Sequence, residues 1–267
     1  MKVVRNTWSL LIVSALIAGG RGVQADEPLG FKEPPPRHLT APTFSDADID
    51  DLLTTLDGLL AHGIASGASR DLVESDLWTF RERLQAGRLT AVQESGVLGH
   101  LEDLARTYPD VAPLIERERR LVRTLTIGKQ APDIVGTDLE GRELRLSDHL
   151  GSVVVLAFSG EWCGSCRLEY PYLQLLTEVH KGRPLAILSV NSDRDPAIAK
   201  KGKTARGLTF QSWWDGAGEK STEGPIATAW GVMGWPTTYV LDESGVIRFV
   251  NLRKEDLLKA VRQLVEK

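Results

Sequence analysis

Residues 153–166, with the sequence VVVLAFSGEWCGSC, run from an unbroken apolar segment through a short loop to two cysteines. The segment Val153–Phe158 has the length and the β-branched content of a buried strand, and helical spacing follows the first cysteine. Cys163 is therefore predicted at a helix N-terminus, where free backbone N–H groups and the helix dipole favour a thiolate. Cys166 falls one turn inside that helix and is expected to be more shielded. The pattern predicts that Cys163 attacks a disulfide and that Cys166 resolves the mixed disulfide.

The cysteine content narrows the chemistry of this pair. Cys163 and Cys166 are the only two cysteines among the 267 residues, so none is left for structural cross-links. A four-thiolate zinc site would need a second pair. The five histidines have no ligand spacing, and each is interpreted as a structural or surface residue. They are His38, His62, His100, His149 and His180. We predict a redox-active disulfide in a protein with no metal and no cofactor.

The N-terminal sequence predicts export. A basic start is followed by the short apolar run 9–18 and by small residues at 23–25, which predicts a cleavable signal peptide over residues 1–25. An uncleaved segment would leave a membrane tether, although the run is short for a membrane span. Residues 26–44 contain five prolines and few apolar residues, which predicts an extended linker. The protein is accordingly expected to be periplasmic or secreted.

The charge balance argues against nucleic acid as a partner. The formal net charge is −4 at pH 7, and loss of residues 1–25 would remove three basic residues and no acidic ones, giving −7. A mildly acidic protein is not expected to bind nucleic acid or an anionic membrane surface.

Residues 45–125 are predicted to form a small all-helical region. Apolar residues recur at the spacing of an amphipathic helix from Ile49 to Leu60. Ser45 or Asp46 is expected to cap this helix. Three more helices are predicted after it, over residues 69–85, 89–108 and 109–125. The region could dock a partner, mediate self-association or cover one face of the next domain.

Two details belong to the last of these helices. Pro109 is assigned to its first turn, a position where proline is tolerated. The charged run 116–120, ERERR, is interpreted as a solvated helix face and not as a basic binding patch.

From residue 126 to residue 267 short runs of Val, Ile and Leu alternate with helical segments. This alternation predicts βαβ units and a central sheet covered on both faces. Asp242–Gly245 is predicted to be a turn between two antiparallel strands. A parallel start, a hairpin and a closing helix at 254–265 give an α/β thioredoxin fold, a central mixed sheet flanked by helices, preceded by the small all-helical region. The strands are expected at 153–158, 185–190, 237–241 and 246–250, and the other helices at 163–181 and 195–206.

The cysteine motif and a downstream proline segment resemble the thioredoxin superfamily. The sequence WCGSC of residues 162–166 is followed by Pro171, where that superfamily has a proline in its active-site helix. Residues 230–237, WGVMGWPT, resemble its cis-proline segment, in which the cis bond faces the cysteines. The resemblance implies a cis bond before Pro236 and a backbone there that pairs with an extended substrate segment.

Other residues near the motif are candidates for substrate binding or mark departures from the superfamily. Trp162 and Trp235 are expected to flank the reactive thiol and to form an apolar docking patch. Ala157 takes the place of a buried acid that many thioredoxins carry on this strand, and Ser165 that of a frequent proline. A hydrogen bond from Ser165 would stabilise a Cys163 thiolate and make the disulfide a stronger oxidant.

Within the superfamily, the chain is similar to the TlpA/ResA group of exported thioredoxin-like reductases. The similar stretches are GKQAPD at 128–133 and GRELRLSD at 141–148, and the resemblance covers residues 126–267. It implies reduction of protein disulfides through Cys163 and Cys166. It also implies a membrane-embedded dithiol carrier as the electron donor.

Glu169 lies three residues after Cys166 and would share its helix face. In ResA-like proteins an acid at this spacing is associated with tuning of the active-site thiols, since a carboxylate can raise a thiol pKa or move its proton. The alternative is a solvated helix acid paired with Arg167 or Lys181.

Two other functions use a similar fold. A peroxiredoxin-like thiol peroxidase needs a threonine three residues before the reactive cysteine, where this chain has Gly160. A copper-delivery module of the Sco type uses a wider CxxxC spacing and a histidine ligand. Disulfide exchange is the favoured function, and these two remain alternatives.

Overall fold

The computed structural model of the protein describes residues 41–67, 69–216 and 223–267. The predicted signal peptide 1–25 and most of the predicted linker 26–44 lie outside these ranges. Among the described helices, none is both long enough and apolar enough to cross a membrane.

Four helices pack around an apolar core in the N-terminal part of the described chain. The hydroxyl oxygen of Ser45 accepts the Asp48 N–H at 3.2 Å, and the Asp48 carboxylate accepts the Ser45 N–H at 2.9 Å. This reciprocal cap confirms Ser45 as the start of the first helix. The helices are α1, Asp46–Ala65; α2, Arg70–Leu84; α3, Ala91–Thr107; and α4, Ala112–Leu125.

The start of α4 differs from the prediction. Pro109 lies in a turn ahead of the helix, because the Val111 N–H bonds to the carbonyl three residues back at 3.2 Å. The helix begins at Ala112, and Pro113 occupies the first turn that is predicted for Pro109.

The interpretation of residues 116–120 as a solvated face is also wrong. Glu118 is only 6% exposed, and its carboxylate lies 3.2 Å from the guanidinium of Arg81 on α2. The reason is helical periodicity, which places Glu118 on the same stripe as the buried Ile115 and Val122. A run of charges along the sequence therefore does not form one face of the helix.

The end of the predicted linker is ordered against the helical region. The Pro42 carbonyl accepts the Arg88 N–H at 2.7 Å, and the Phe44 N–H donates to the Arg88 carbonyl at 3.1 Å. Residues 41–44 thus pair with the segment that precedes α3, whereas an extended linker is predicted as far as residue 44.

The remainder of the described chain carries seven strands, four α-helices and one short 3₁₀ helix, Leu146–His149. The strands are β1, Val135–Thr137; β2, Glu143–Arg145; β3, Val153–Ser159; β4, Leu185–Asn191; β5, Gln211–Trp214; β6, Thr237–Leu241; and β7, Ile247–Val250. The helices are α5, Gly164–Val179; α6, Pro196–Arg206; α7, Pro225–Ala229; and α8, Lys254–Val265. The short elements β1, β2, β5 and α7 are absent from the sequence-based prediction.

The central sheet has the strand order β5-β4-β3-β6-β7. Strands β3, β4 and β5 run parallel, and β6 and β7 are antiparallel to their neighbours. A turn over Asp242–Gly245 joins β6 to β7 as predicted, and helices lie on both faces. The predicted α/β thioredoxin fold with a preceding helical region is confirmed.

Strand β3 is buried along its whole length, and its alternate side chains face two different cores. Leu156 and Phe158 face a core that includes Leu121 and Leu125 of α4. Val155 faces the opposite core, which α5 and α8 complete. Helix α4 therefore covers one face of the sheet, and the described residues form one compact unit. The domain boundary at residue 125 stays a prediction.

Candidate active site

The two cysteines form a disulfide at the start of α5. Cys163 is the cap residue of this helix, and its Cα lies 5.3 Å from that of Cys166. The Cys166 N–H points at the Cys163 sulfur at 3.1 Å. In the reduced protein this N–H and the helix N-terminus would stabilise a thiolate at Cys163. Cys163 is 5% exposed and Cys166 is 1% exposed, so the predicted attacking residue is the more exposed of the two.

Ser165 connects the cysteine motif to the proline segment. Its hydroxyl lies 3.4 Å from the Cys163 sulfur and donates a hydrogen bond to the Trp235 carbonyl at 3.2 Å. A single hydroxyl proton can serve only one of these acceptors at a time. Ser165 can therefore donate to a Cys163 thiolate only when its hydrogen bond to the Trp235 carbonyl is broken.

The peptide bond between Trp235 and Pro236 is cis. The Pro236 carbonyl accepts a hydrogen bond from the guanidinium of Arg253, which also donates to the Thr238 hydroxyl at 3.0 Å. The contact of Ser165 with the Trp235 carbonyl places this segment next to the disulfide. The two sequence-predicted motifs therefore meet at one site.

Trp162 and Trp235 form an aromatic pair beside the disulfide. Their ring centroids are 5.7 Å apart, and the planes are tilted by 57°. Both indole N–H groups are held by Ser192, through its carbonyl at 3.1 Å and its hydroxyl at 3.2 Å respectively. Trp162 is 47% exposed, so the pair presents an apolar surface to solvent. By contrast, Trp213 in β5 is fully buried.

Glu169 is buried against the start of α8, and its interpretation as a solvated acid is wrong. Its carboxylate accepts the Lys254 N–H at 3.0 Å. The predicted partner Arg167 donates instead to the Glu161 carbonyl. Burial lowers the pKa of Arg253, and the nearby carboxylate of Glu169 opposes that shift. Helix α5 packs against α8 in one apolar core, which brings Glu169 to this helix terminus.

A groove beside the disulfide has a second wall that the sequence does not predict. Its volume is about 890 Å³, and it is lined by the cysteine motif, Trp235, Met233 and Glu223. Glu74 of α2 and Arg117 of α4 line it from the helical region. These two side chains form an ion pair with each other.

The helical region also holds the segment that leads to the cis-proline. Arg81 donates a hydrogen bond to the Gly231 carbonyl. A Cβ on Gly231, which has φ +58°, would collide with Arg81 and with Leu121. A Cβ on Gly234 would lie 3.0 Å from the Trp78 ring. The one sequence signal for these contacts is the pair of glycines, which permits close approach.

Burial raises the pKa of Glu118 to about 7, and the charges of Arg81 and Arg117 oppose this shift. The Glu118 carboxyl pairs at 3.2 Å with Arg81, the residue that holds Gly231. Among the described residues, no group of three or more His, Cys, Asp and Glu side chains is arranged to hold a metal ion.

Known proteins resemble the part of the chain that forms the sheet and the site. Residues 127–250 match the AhpC/TSA family. The chain is similar to the thiol-disulfide oxidoreductase ResA of Geobacillus thermodenitrificans, with 35% identity over 136 residues, 50% of this chain and 75% of that protein. It is also similar to the thioredoxin-like protein YneN of Bacillus subtilis, with 33% identity over 128 residues, 47% of this chain and 71% of that protein.

Among solved structures, the chain is similar to the thioredoxin domain of a thiol-disulfide oxidoreductase from Bacteroides vulgatus. The identity is 28% and the TM-score is 0.48, over 53% of this chain and 99% of that one. The match to ResA, at 35% identity, covers three quarters of that relative. The chain belongs to the TlpA/ResA-like thiol–disulfide oxidoreductases of the thioredoxin superfamily.

Proposed function

We propose that the protein reduces disulfides of other proteins in an exported compartment, with Cys163 as the attacking and Cys166 as the resolving cysteine. The observation that carries this proposal is the Cys163–Cys166 disulfide at the N-terminus of α5, with a groove open beside it. Trp162, Trp235 and Pro236 bind the substrate segment in this proposal. The aromatic pair supplies apolar contact, and the backbone before Pro236 pairs with an extended strand.

The exchange proceeds in two balanced steps. The Cys163 thiolate attacks one sulfur of the substrate disulfide, so a mixed disulfide forms and the second substrate sulfur leaves as a thiolate that takes up a proton. Cys166, after losing its proton, attacks the Cys163 sulfur and releases the first substrate sulfur. Two electrons have then passed to the substrate, and the protein is left with its internal disulfide.

A further turnover needs an electron donor, for which we propose a membrane-embedded dithiol carrier. Support for this donor and for the reductive direction comes from the likeness to ResA. Support for export comes from the predicted signal peptide over residues 1–25, whose retention would make it a tether. Residues 45–125 and 126–267 are proposed as the helical and the thioredoxin-like domains.

We also propose that Glu169 tunes the thiol of Cys166. The two residues are three positions apart on α5, and the carboxylate is fixed in place by the Lys254 N–H. A fixed negative charge near a thiol disfavours the thiolate and raises the thiol pKa. Glu169 would therefore keep Cys166 protonated until the mixed disulfide has formed.

A single-turnover comparison tests the proposed function. The reduced protein is mixed with insulin or with hydrogen peroxide, and the loss of protein thiols is followed. Oxidation by insulin at a rate well above that by peroxide is expected. The reverse order would favour the thiol peroxidase. Tight stoichiometric binding of copper by the reduced protein, without insulin reduction, would favour the Sco-like module.

A further inference from the structure

We propose that helices α2 and α4 form a selectivity wall of the substrate groove, in which Glu74 and Arg117 read the charge of residues that flank the substrate cysteine. The inference rests on the proposed function and adds a substrate class to it, namely extended polypeptide segments that carry a cysteine between charged residues. It assigns a role to a region that lies outside the AhpC/TSA match.

The first support is the position of the two side chains. Glu74 and Arg117 line the same groove as Cys163, and they face it from the helical region. The groove volume of about 890 Å³ is near the upper end of sites for small ligands, about 300–1,000 Å³. A small disulfide would leave much of it empty, whereas a polypeptide segment with its cysteine at Cys163 would extend past the wall.

The second support is the electrostatic state of the pair. Arg117 and Glu74 are bonded to each other, and their side chains are 30% and 28% exposed. They are thus partly desolvated but open to an incoming group. A charged side chain of the substrate could exchange into the pair, since both partners keep unused hydrogen-bonding capacity.

The third support is that packing contacts hold the wall in a fixed position. Trp78 of α2 packs on Gly234, and Arg81 of the same helix bonds to the Gly231 carbonyl. Leu121 of α4 contacts Gly231 as well and continues into the core under the sheet. The distance between the wall and the disulfide is therefore fixed by packing, which is a condition for selectivity.

The test uses peptides with one cysteine in mixed disulfide with 5-thio-2-nitrobenzoate. The cysteine is flanked by lysines, by glutamates or by serines. The reduced protein becomes oxidised to the Cys163–Cys166 disulfide and releases the peptide thiol and the coloured thiolate, so the absorbance trace of this single turnover gives the second-order rate constant, which stands for kcat/KM. The quantity of interest is the ratio of kcat/KM for the lysine-flanked peptide to that for the glutamate-flanked peptide.

Two charge reversals should move this ratio in opposite directions. Arg117→Glu is expected to raise it about tenfold, and Glu74→Arg to lower it about tenfold, which corresponds to about 1.4 kcal/mol each. Arg117→Gln and Glu74→Gln should shift it with the same signs by roughly threefold. These neutral variants keep the test decisive if circular dichroism shows that a reversal has unfolded the protein.

The matched controls are Arg106→Glu and Asp103→Arg, which reverse an exposed ion pair on α3 that does not line the groove. These variants should leave the ratio within twofold of the wild-type value. Three results would overturn the selectivity wall. The ratio could shift equally in the controls, shift with one sign in both groove variants, or not shift at all. Failure of the wild-type protein to react with the serine-flanked peptide would instead overturn the proposed function.

Discussion

Replacing Glu118 with glutamine is expected to remove a pH dependence from the stability of the fold. Glu118 lies buried between α4 and α2, close to the guanidinium of Arg81. Burial raises the pKa of its carboxyl from 4.5 to about 7, the charges of Arg81 and Arg117 lower it, and Glu74 adds to the rise. The folded protein thus binds a proton at Glu118 more strongly than the unfolded chain does.

The sign and size of the effect follow from this difference. The stabilisation from the protonated carboxyl is complete below pH 4.5 and is lost as the pH rises through 7. Each pKa unit corresponds to about 1.4 kcal/mol. Between pH 5 and pH 8 the wild-type protein should therefore lose about 2 to 3 kcal/mol of unfolding free energy relative to Glu118→Gln.

The assay is urea unfolding of the oxidised protein at four pH values from 5 to 8, followed by circular dichroism. Taking the difference between wild type and Glu118→Gln cancels other groups that titrate in this range. Glu116→Gln, at a more exposed position of the same helix, is the control and should show a flat difference. A difference for Glu118→Gln that is also flat, or that rises with pH in favour of the wild type, would mean that folding does not strengthen proton binding at Glu118.

Three further substitutions test other parts of the site. Gly231→Ala should cost about 1–3 kcal/mol more than Gly182→Ala by thermal or urea unfolding, the usual cost of overpacking, because both glycines have positive φ but only at Gly231 would the Cβ collide with the ends of neighbouring side chains. Trp162→Ala should lower kcat/KM for insulin about tenfold, with a smaller effect on hydroxyethyl disulfide, because it removes an exposed apolar contact; equal losses would argue against docking. Glu169→Gln should lower the pKa of the Cys166 thiol, read by ultraviolet thiolate absorbance, while Glu178→Gln leaves it unchanged.

The elements near the cysteines could be predicted because their signals are local. The apolar run of β3 is longer than a turn and is rich in valine, and the spacing after Cys163 is helical. The hairpin of β6 and β7 has a turn sequence between two apolar runs. Strand β5 is not predicted because it lacks such a local signal. Its four residues, two of them tryptophans, are too few to show a periodicity.

The groove wall could not be predicted because it depends on contacts between distant parts of the chain. Arg81 and the carbonyl of Gly231 are 150 residues apart, and nothing local to either indicates the other. The prediction of a solvated face fails at Glu118 because it follows the order of the charges along 116–120 and not their positions around the helix. Glu118 lies three residues after Ile115 and four before Val122, so the 3.6-residue helical period places it on their buried stripe. The alternation of charges along the sequence does not show this position.

The two cysteines have different roles in the proposed exchange, and a trapping measurement distinguishes these roles. Reduced Cys166→Ser and reduced Cys163→Ser are each mixed with insulin, quenched with acid and digested without reductant for mass spectrometry. We expect a mixed disulfide between Cys163 and an insulin cysteine in the Cys166→Ser protein, and none in Cys163→Ser. A mixed disulfide through Cys166 in the Cys163→Ser protein, in equal or greater yield, would contradict the account.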